Sequence, residues 1–219
     1  MFQQLLELDK DVFLFLNGFH SPVWDTIMWY ITRTATWLPL YILILIALIR
    51  NDQSYRIIFT FIFLAIVVLL NDQISVLIKH LVERPRPTHN PAIADLVHTV
   101  NNYRGGQYGF LSSHAANVFG VAVFLIYLLK NSKWTIVLLL WALVVSYSRI
   151  YLGKHYPLDI ICGAILGILI GTQCHVIRVK TVIAADRRID IRKEKKAAKR
   201  KARELKAKND AGVENTVSN

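Results

Sequence analysis

Five stretches of the chain contain no Asp, Glu, Lys or Arg: residues 34–49, 57–71, 115–129, 134–148 and 160–174. Each is slightly shorter than the ~20 residues that cross ~30 Å of hydrocarbon. Each can extend at its ends through snorkelling Lys or Arg, or through polar residues that face a cavity. Five such runs in 219 residues predict membrane-spanning helices rather than the buried helices of a soluble core. Ahead of them, residues 4–19 mix acidic positions with Leu and aromatic ones, which predicts an amphipathic helix at the interface, broken at Ser21-Pro22. Residues 23–50 form one long helix or a broken pair, because Asp25, Arg33 and Pro39 spoil the first half as a lipid-facing span. A polar turn follows at Asn51–Tyr55, then a span over 56–81 whose end turns polar at Asn71, Asp72, Lys79 and His80. A loop rich in Pro, Asn and Gly fills 83–110, and further spans cover 112–130, 134–150 and 156–177. The predicted fold class is all-α: a polytopic membrane helix bundle of five to six transmembrane helices with an N-terminal interfacial helix. The expected divisions are 1–21 (interfacial helix), 22–180 (membrane-embedded domain with the outer loop 83–110) and 181–219 (basic cytoplasmic tail, partly disordered).

Composition adds a conflict. The chain is 54% hydrophobic yet carries a net charge of +11. Residues 187–208 hold twelve Lys or Arg against three acids, a net +9. This tail either binds anionic lipid headgroups, at ~1 kcal/mol per basic residue near the surface, or is a solvated segment that fixes topology. A basic run alone gives no reason to expect nucleic acid as a partner. Arg50, Arg56, Lys130, Lys133, Arg178 and Lys180 mark one set of helix ends as cytoplasmic. Lys79, Arg84, Arg86, Arg104, Arg149 and Lys154 then sit at the opposite ends, against the rule. Met1–Asp11 has acids and no basic start, so it does not read as a cleavable signal, and the spans are expected to direct insertion. Cys162 and Cys174 read as small apolar residues within a span.

The misplaced cations fall into three clusters. These are Lys79 to Pro87, Gly109 to His114, and Ser148-Arg149 with His155 and Asp159. The helix order returns all three to one membrane side. Lys79, Arg86 and Arg149 make a cationic pocket, with arginine forks suited to phosphate oxygens. Two histidines converge on it, one available as nucleophile and one as acid. Asp159, four residues after His155, can hold an imidazole N–H. A helix starting at Pro157 and another capped by Ser112 would aim free N–H groups at an anion. Glu83 and Arg84 read as an ion pair at a span's end. His20, His80, His89, His98 and His175 read as structural, and Asp72 has no role in this scheme. Loop 88–110, with His98, Asn101, Asn102, Tyr103, Arg104 and Gly105-Gly106, is expected to touch the headgroup.

These clusters resemble the type 2 phosphatidic acid phosphatase family, whose pattern is K-x6-R-P, then P-S-G-H, then S-R-x5-H-x3-D. Lys79, Arg86 and Pro87 meet the first part, and Ser148, Arg149, His155 and Asp159 meet the third. In the second part Leu111 stands for the proline and Ser113 for the glycine, while Ser112 and His114 remain. The resemblance covers about residues 56–175. It implies catalysis by His155 as nucleophile, Asp159 as its orienting acid and His114 as general acid and base. It implies phosphate binding by Lys79, Arg86, Ser112, Ser113 and Arg149, with no metal and no cofactor. The implied reaction is hydrolysis of a phosphate from a membrane lipid through a phosphohistidine, at the periplasmic face of a bacterial inner membrane. The Ser-Ser-His variant, small size and basic tail are similar to members that dephosphorylate lipid A, the leading substrate. Undecaprenyl diphosphate, phosphatidate or phosphatidylglycerophosphate are alternatives, as is phosphotransfer by the same mechanism.

Overall fold

The computed structural model describes residues 2–51 and 55–217. Helix α1 (Phe2–Asn17) precedes α2 (Pro22–Ile31), which Ser21 caps by accepting from the Trp24 N–H. A short 3-10 turn, Thr34–Trp37, leads into α3 (Leu38–Asn51). The long segment expected over 23–50 is thus a broken pair, bent by 75°. Helix α4 (Arg56–Val82) ends at Glu83, whose left-handed φ of 50° turns the chain into the loop 83–110. Helices α5 (Ser113–Leu129), α6 (Ser132–Tyr151) and α7 (Pro157–Val217) follow. By length and composition, α4, α6 and α7 can each cross a membrane, and α2 with α3 make a fourth candidate. Helix α5 is a shorter apolar helix beside them.

Two compact units divide the chain at Val176/Ile177. The second carries the basic run and is helical to Val217. In the first, the distribution of polarity is that of a lipid-immersed bundle. Ile58, Leu69, Leu77, Ile136, Leu140, Ile165 and Leu169 are exposed, whereas Asn71, Ser75, Ser146, Ser148 and Arg149 are buried. Hydrocarbon solvates the former, and only the protein interior can hydrogen-bond the latter. The main apolar core joins Ile44, Leu48, Val67, Phe124, Leu125, Leu138 and Trp141 from α3 to α6.

Close backbone approach positions α7. A Cβ added at Gly167 would lie 2.2 Å from the Ala116 carbonyl oxygen on α5, and one at Gly171 would lie 2.3 Å from that of Gly120. Asn71 on α4 donates to the same Ala116 oxygen at 3.1 Å. Small residues here let three helices meet where lipid supplies no hydrophobic drive. Gly167→Val should therefore separate α5 from α7. The expected cost is about 3 kcal/mol, the upper end for overpacking, because backbone cannot yield as a side chain can. Thermal unfolding of detergent-solubilised protein would read it as a lowered midpoint.

Candidate active site

Each sequence cluster is held at a helix end for an identifiable reason. Lys79 lies in the last turn of α4, on the same face as Ser75, four residues before it. Ser112 is the N-cap of α5 and accepts from the Ala115 N–H at 3.4 Å. Arg149 lies in the last turn of α6, and Pro157 opens α7 three residues after Lys154. The loop 83–110 folds back on itself. Arg86 N–H donates to Gln107 O at 3.0 Å, and Gly109 N–H to Arg84 O at 2.9 Å. A bridge pairs Pro85 with Tyr108, and the Phe110–Leu111 peptide is cis. Ser112 N–H then donates to Asp159 O at 3.0 Å, tying the start of α5 to the start of α7.

Lys79, Arg86, Ser113, His114, Arg149 and His155 line one cavity of about 610 Å³. Three clusters separated by up to 76 positions therefore share a wall. Lys79 Nζ donates to Ser113 Oγ, which also shares a 2.6 Å hydrogen bond with Ser75 Oγ. Arg86 is aimed by its Nε–H, which donates to Tyr108 O at 3.0 Å. Arg149 Nη1 donates to Thr32 Oγ1 at 2.6 Å, and its buried Nε has no partner. Free donors on converging cations suit an anion with several oxygens. The loop residues Tyr103 and Gly106 also form part of the wall.

His155 is 2% exposed and Asp159 fully buried. The His155 Nδ1 atom lies 3.5 Å from Asp159 Oδ2, longer than a formed hydrogen bond. Asp159 Oδ2 accepts from the Tyr156 N–H at 3.0 Å. A Cβ on Gly109 would lie 3.1 Å from that same oxygen, a tight contact that would press on the carboxylate. With Nδ1 turned to the carboxylate, Nε2 is the nitrogen left for the cavity. Burial, reinforced by the charges of Arg149, Arg86 and Lys79, holds the His155 imidazole well below its ordinary range. It is neutral near pH 7, with a lone pair for attack. Burial also lowers Arg86, which stays cationic at neutral pH.

Some residues stand apart from their expected places. Ser112 is buried at the cap and does not line the cavity. Arg84 does not pair with Glu83: it bridges Asp9 and Asp159, at 2.7 and 2.8 Å. His98 does not line the cavity but pairs with Asp25 at 2.8 Å, stacks on His20 and is held by Asn17. Lys154, 1% exposed, lies over the Tyr103 ring, its Nζ 2.9 Å from the centroid. Asp72 lines the cavity and accepts from Asn117 Nδ2 at 2.8 Å. Among the described residues no group of three His, Cys, Asp or Glu is arranged to hold a metal ion.

Away from the cations the cavity becomes apolar, lined by Trp37, Tyr41, Val68, Val118, Val121, Trp141 and Val145. Val121 lies seven residues, about 10 Å, further along α5 than His114. A polar head and an apolar arm thus share one space.

Residues 59–182 match the model of a family described as the PAP2 superfamily. A lipid A 4'-phosphatase of Bacteroides thetaiotaomicron is 43% identical over 170 residues, 76% of this chain and 75% of that protein. A lipid A 4'-phosphatase of Porphyromonas gingivalis is 36% identical over 174 residues, 77% of this chain and 72% of that protein. The fold is similar to the crystal structure of Aquifex aeolicus LpxE, with a TM-score of 0.59, 24% identity, and coverage of 79% of this chain and 95% of that one.

Proposed function

Because this chain belongs to the PAP2 superfamily, and so is a multi-pass membrane lipid phosphatase, we propose that it removes a phosphate from lipid A through a phosphohistidine on His155. The observation that carries the mechanism is the single cavity in which a buried neutral imidazole, backed by a carboxylate, faces three cations. His155 Nε2 attacks phosphorus as the P–O bond to the lipid breaks. His114 gives its proton to the leaving oxygen. Asp159 accepts a hydrogen bond from Nδ1–H and steadies the positive charge that develops on the ring. Water then attacks the phosphorus, His114 takes its proton, and the P–N bond breaks to release phosphate and neutral His155.

Lys79, Arg86 and Arg149 hold the phosphate oxygens and offset the charge that spreads over them. Ser113 contributes through Lys79, which its hydroxyl holds in place, and Ser112 through the helix start that it caps. The apolar arm supports a lipid substrate, since a chain could lie there while the phosphate meets the cations. Lipid A is favoured by the two relatives that carry that activity. The basic residues at the helix ends opposite the site, Arg50, Arg56, Lys130 and Lys133, support a cytoplasmic placement of those ends and so a periplasmic site in the inner membrane. The tail then meets anionic headgroups at the cytoplasmic face. The test is incubation of purified protein with bisphosphorylated lipid A, followed by mass spectrometry. Loss of one phosphate group with release of inorganic phosphate is the expected result. Unchanged lipid A alongside active hydrolysis of phosphatidate or undecaprenyl diphosphate would overturn the substrate assignment.

A further inference from the structure

We propose that Asp9, on the N-terminal helix, is a positioning residue for the phosphatase reaction, acting through Arg84 on Asp159. The inference rests on the reading of His155 as nucleophile and Asp159 as its orienting group.

Arg84 lies just beyond α4, outside the phosphate cavity. Its fork is divided between two carboxylates. Nη1 meets Asp159 Oδ1 at 2.8 Å, and Nη2 meets Asp9 Oδ2 at 2.7 Å. Both acids are buried, Asp9 4% exposed and Asp159 not at all. Two buried anions require compensation, and one guanidinium with geometrically fixed donors serves both. The other oxygen of each carboxylate is also committed. Asp9 Oδ1 accepts from the Leu158 N–H at 2.9 Å. Asp159 Oδ2 accepts from the Tyr156 N–H and faces His155 Nδ1.

The Leu158 N–H is one of the first amides of α7, which have no partner within their own helix. Asp9 therefore acts as a capping acceptor supplied by another helix, with its negative charge at the favourable dipole end. It grips the start of α7 directly at Leu158 and, through Arg84, at Asp159. Phe13, one turn further along α1, is fully buried and meets the Tyr156 ring edge-on at 5.3 Å. The Arg84 guanidinium covers the Tyr156 ring at 4.0 Å, and Asn90 donates to the Tyr156 hydroxyl at 2.9 Å. One face of α1 thus fixes the residues that follow His155, Tyr156 and Leu158. Its other face exposes Leu5, Leu8 and Phe15.

Neutralising Asp9 would leave one Arg84 donor unpaired and let the fork swing. Asp159 Oδ1 would follow, and Oδ2 would move from its place 3.5 Å from His155 Nδ1. A misplacement of ~1 Å costs on the order of 100-fold in rate. Phosphate binding would be little changed, because Lys79, Arg86 and Arg149 touch neither Asp9 nor Arg84.

The experiment uses the full chain in detergent micelles, with bisphosphorylated lipid A as substrate and turnover expressed per folded molecule. Asp9→Asn is expected to lower kcat by roughly 10- to 100-fold with KM within about two-fold. Asp9→Glu, which keeps the carboxylate, should recover part of that loss. Arg84→Lys should mimic Asp9→Asn, and the double variant should be little worse than the poorer single one, because the two act as a unit. A kcat per folded molecule within two-fold of wild type in Asp9→Asn overturns the proposal. If that variant does not fold, Arg84→Lys decides the same question by the same criterion. His155→Ala is assayed beside them: if it retains turnover, the reading beneath the proposal fails. If it is inactive while Asp9→Asn is normal, only the Asp9 relay fails.

Discussion

His155→Ala is expected to lose about 10⁴- to 10⁶-fold in kcat, the range for removing a nucleophile from a unit of cooperating groups. The magnitude follows from the site's construction. Lys79, Arg86 and Arg149 bind and polarise a phosphate, and His155 is the cavity imidazole with a carboxylate behind it, as a nucleophile requires. Lys79 Nζ donates to Ser113 Oγ. The Ser113 hydroxyl is shared with Ser75. The alanine variant should still bind substrate, since the three cations remain, so KM or the dissociation constant should change by only a few-fold. Steady-state hydrolysis together with equilibrium binding of the lipid checks both halves. Folding should survive the change, because the buried Asp159 keeps its partners, Arg84 and the Tyr156 N–H.

His114→Ala is the second large effect, and its pattern discriminates more sharply than its size. A general acid contributes about 10²- to 10⁴-fold when the leaving group is a poor one, such as the oxygen of a sugar or glycerol. With p-nitrophenyl phosphate, whose leaving oxygen needs no proton, phosphorylation of His155 should be far less impaired. Hydrolysis of the phosphoenzyme would stay slow, because the same imidazole must activate the water. A burst of p-nitrophenol followed by slow turnover is the expected trace. An equal loss on both substrates with no burst would count against His114 as acid and base.

Much of this site was legible in the chain because its signals are local. Pro157 opens α7, Ser112 caps α5, and His155 and Asp159 are one helical turn apart. Each follows from spacing and backbone chemistry within a few residues. The grouping of cations was also readable, since Lys79, Arg86 and Arg149 fall at helix ends opposite to those of Arg50, Lys130 and Lys133. What stayed hidden depends on distant pairing. Asp9 and Arg84 are 75 positions apart. In sequence, Asp9 is one of several acids on an amphipathic helix, and Arg84 has Glu83 beside it as an obvious partner. The left-handed cap at Glu83 turns the chain so that Arg84 faces α1 and α7 instead. The one available signal was Phe13, an apolar residue four positions after Asp9, which marks the two as a single inward face. His98 reads as structural and is so, but its expected contact with the headgroup is absent for a similar reason: Asp25 and Asn17, which hold it, lie on helices far back in the chain. The break between α2 and α3 was readable as an alternative from Arg33 and Pro39, but the 75° bend depends on packing.

The central claim is that the phosphoryl group passes through His155. The most direct measurement is to quench the wild type and His114→Ala in alkali during turnover, where phosphohistidine survives, and map phosphate by peptide mass spectrometry. The account predicts a phosphorylated peptide whose modified residue is His155, more abundant in His114→Ala than in the wild type. Phosphate on another residue, or continued hydrolysis by the wild type with His155 unmodified in both proteins, would contradict it.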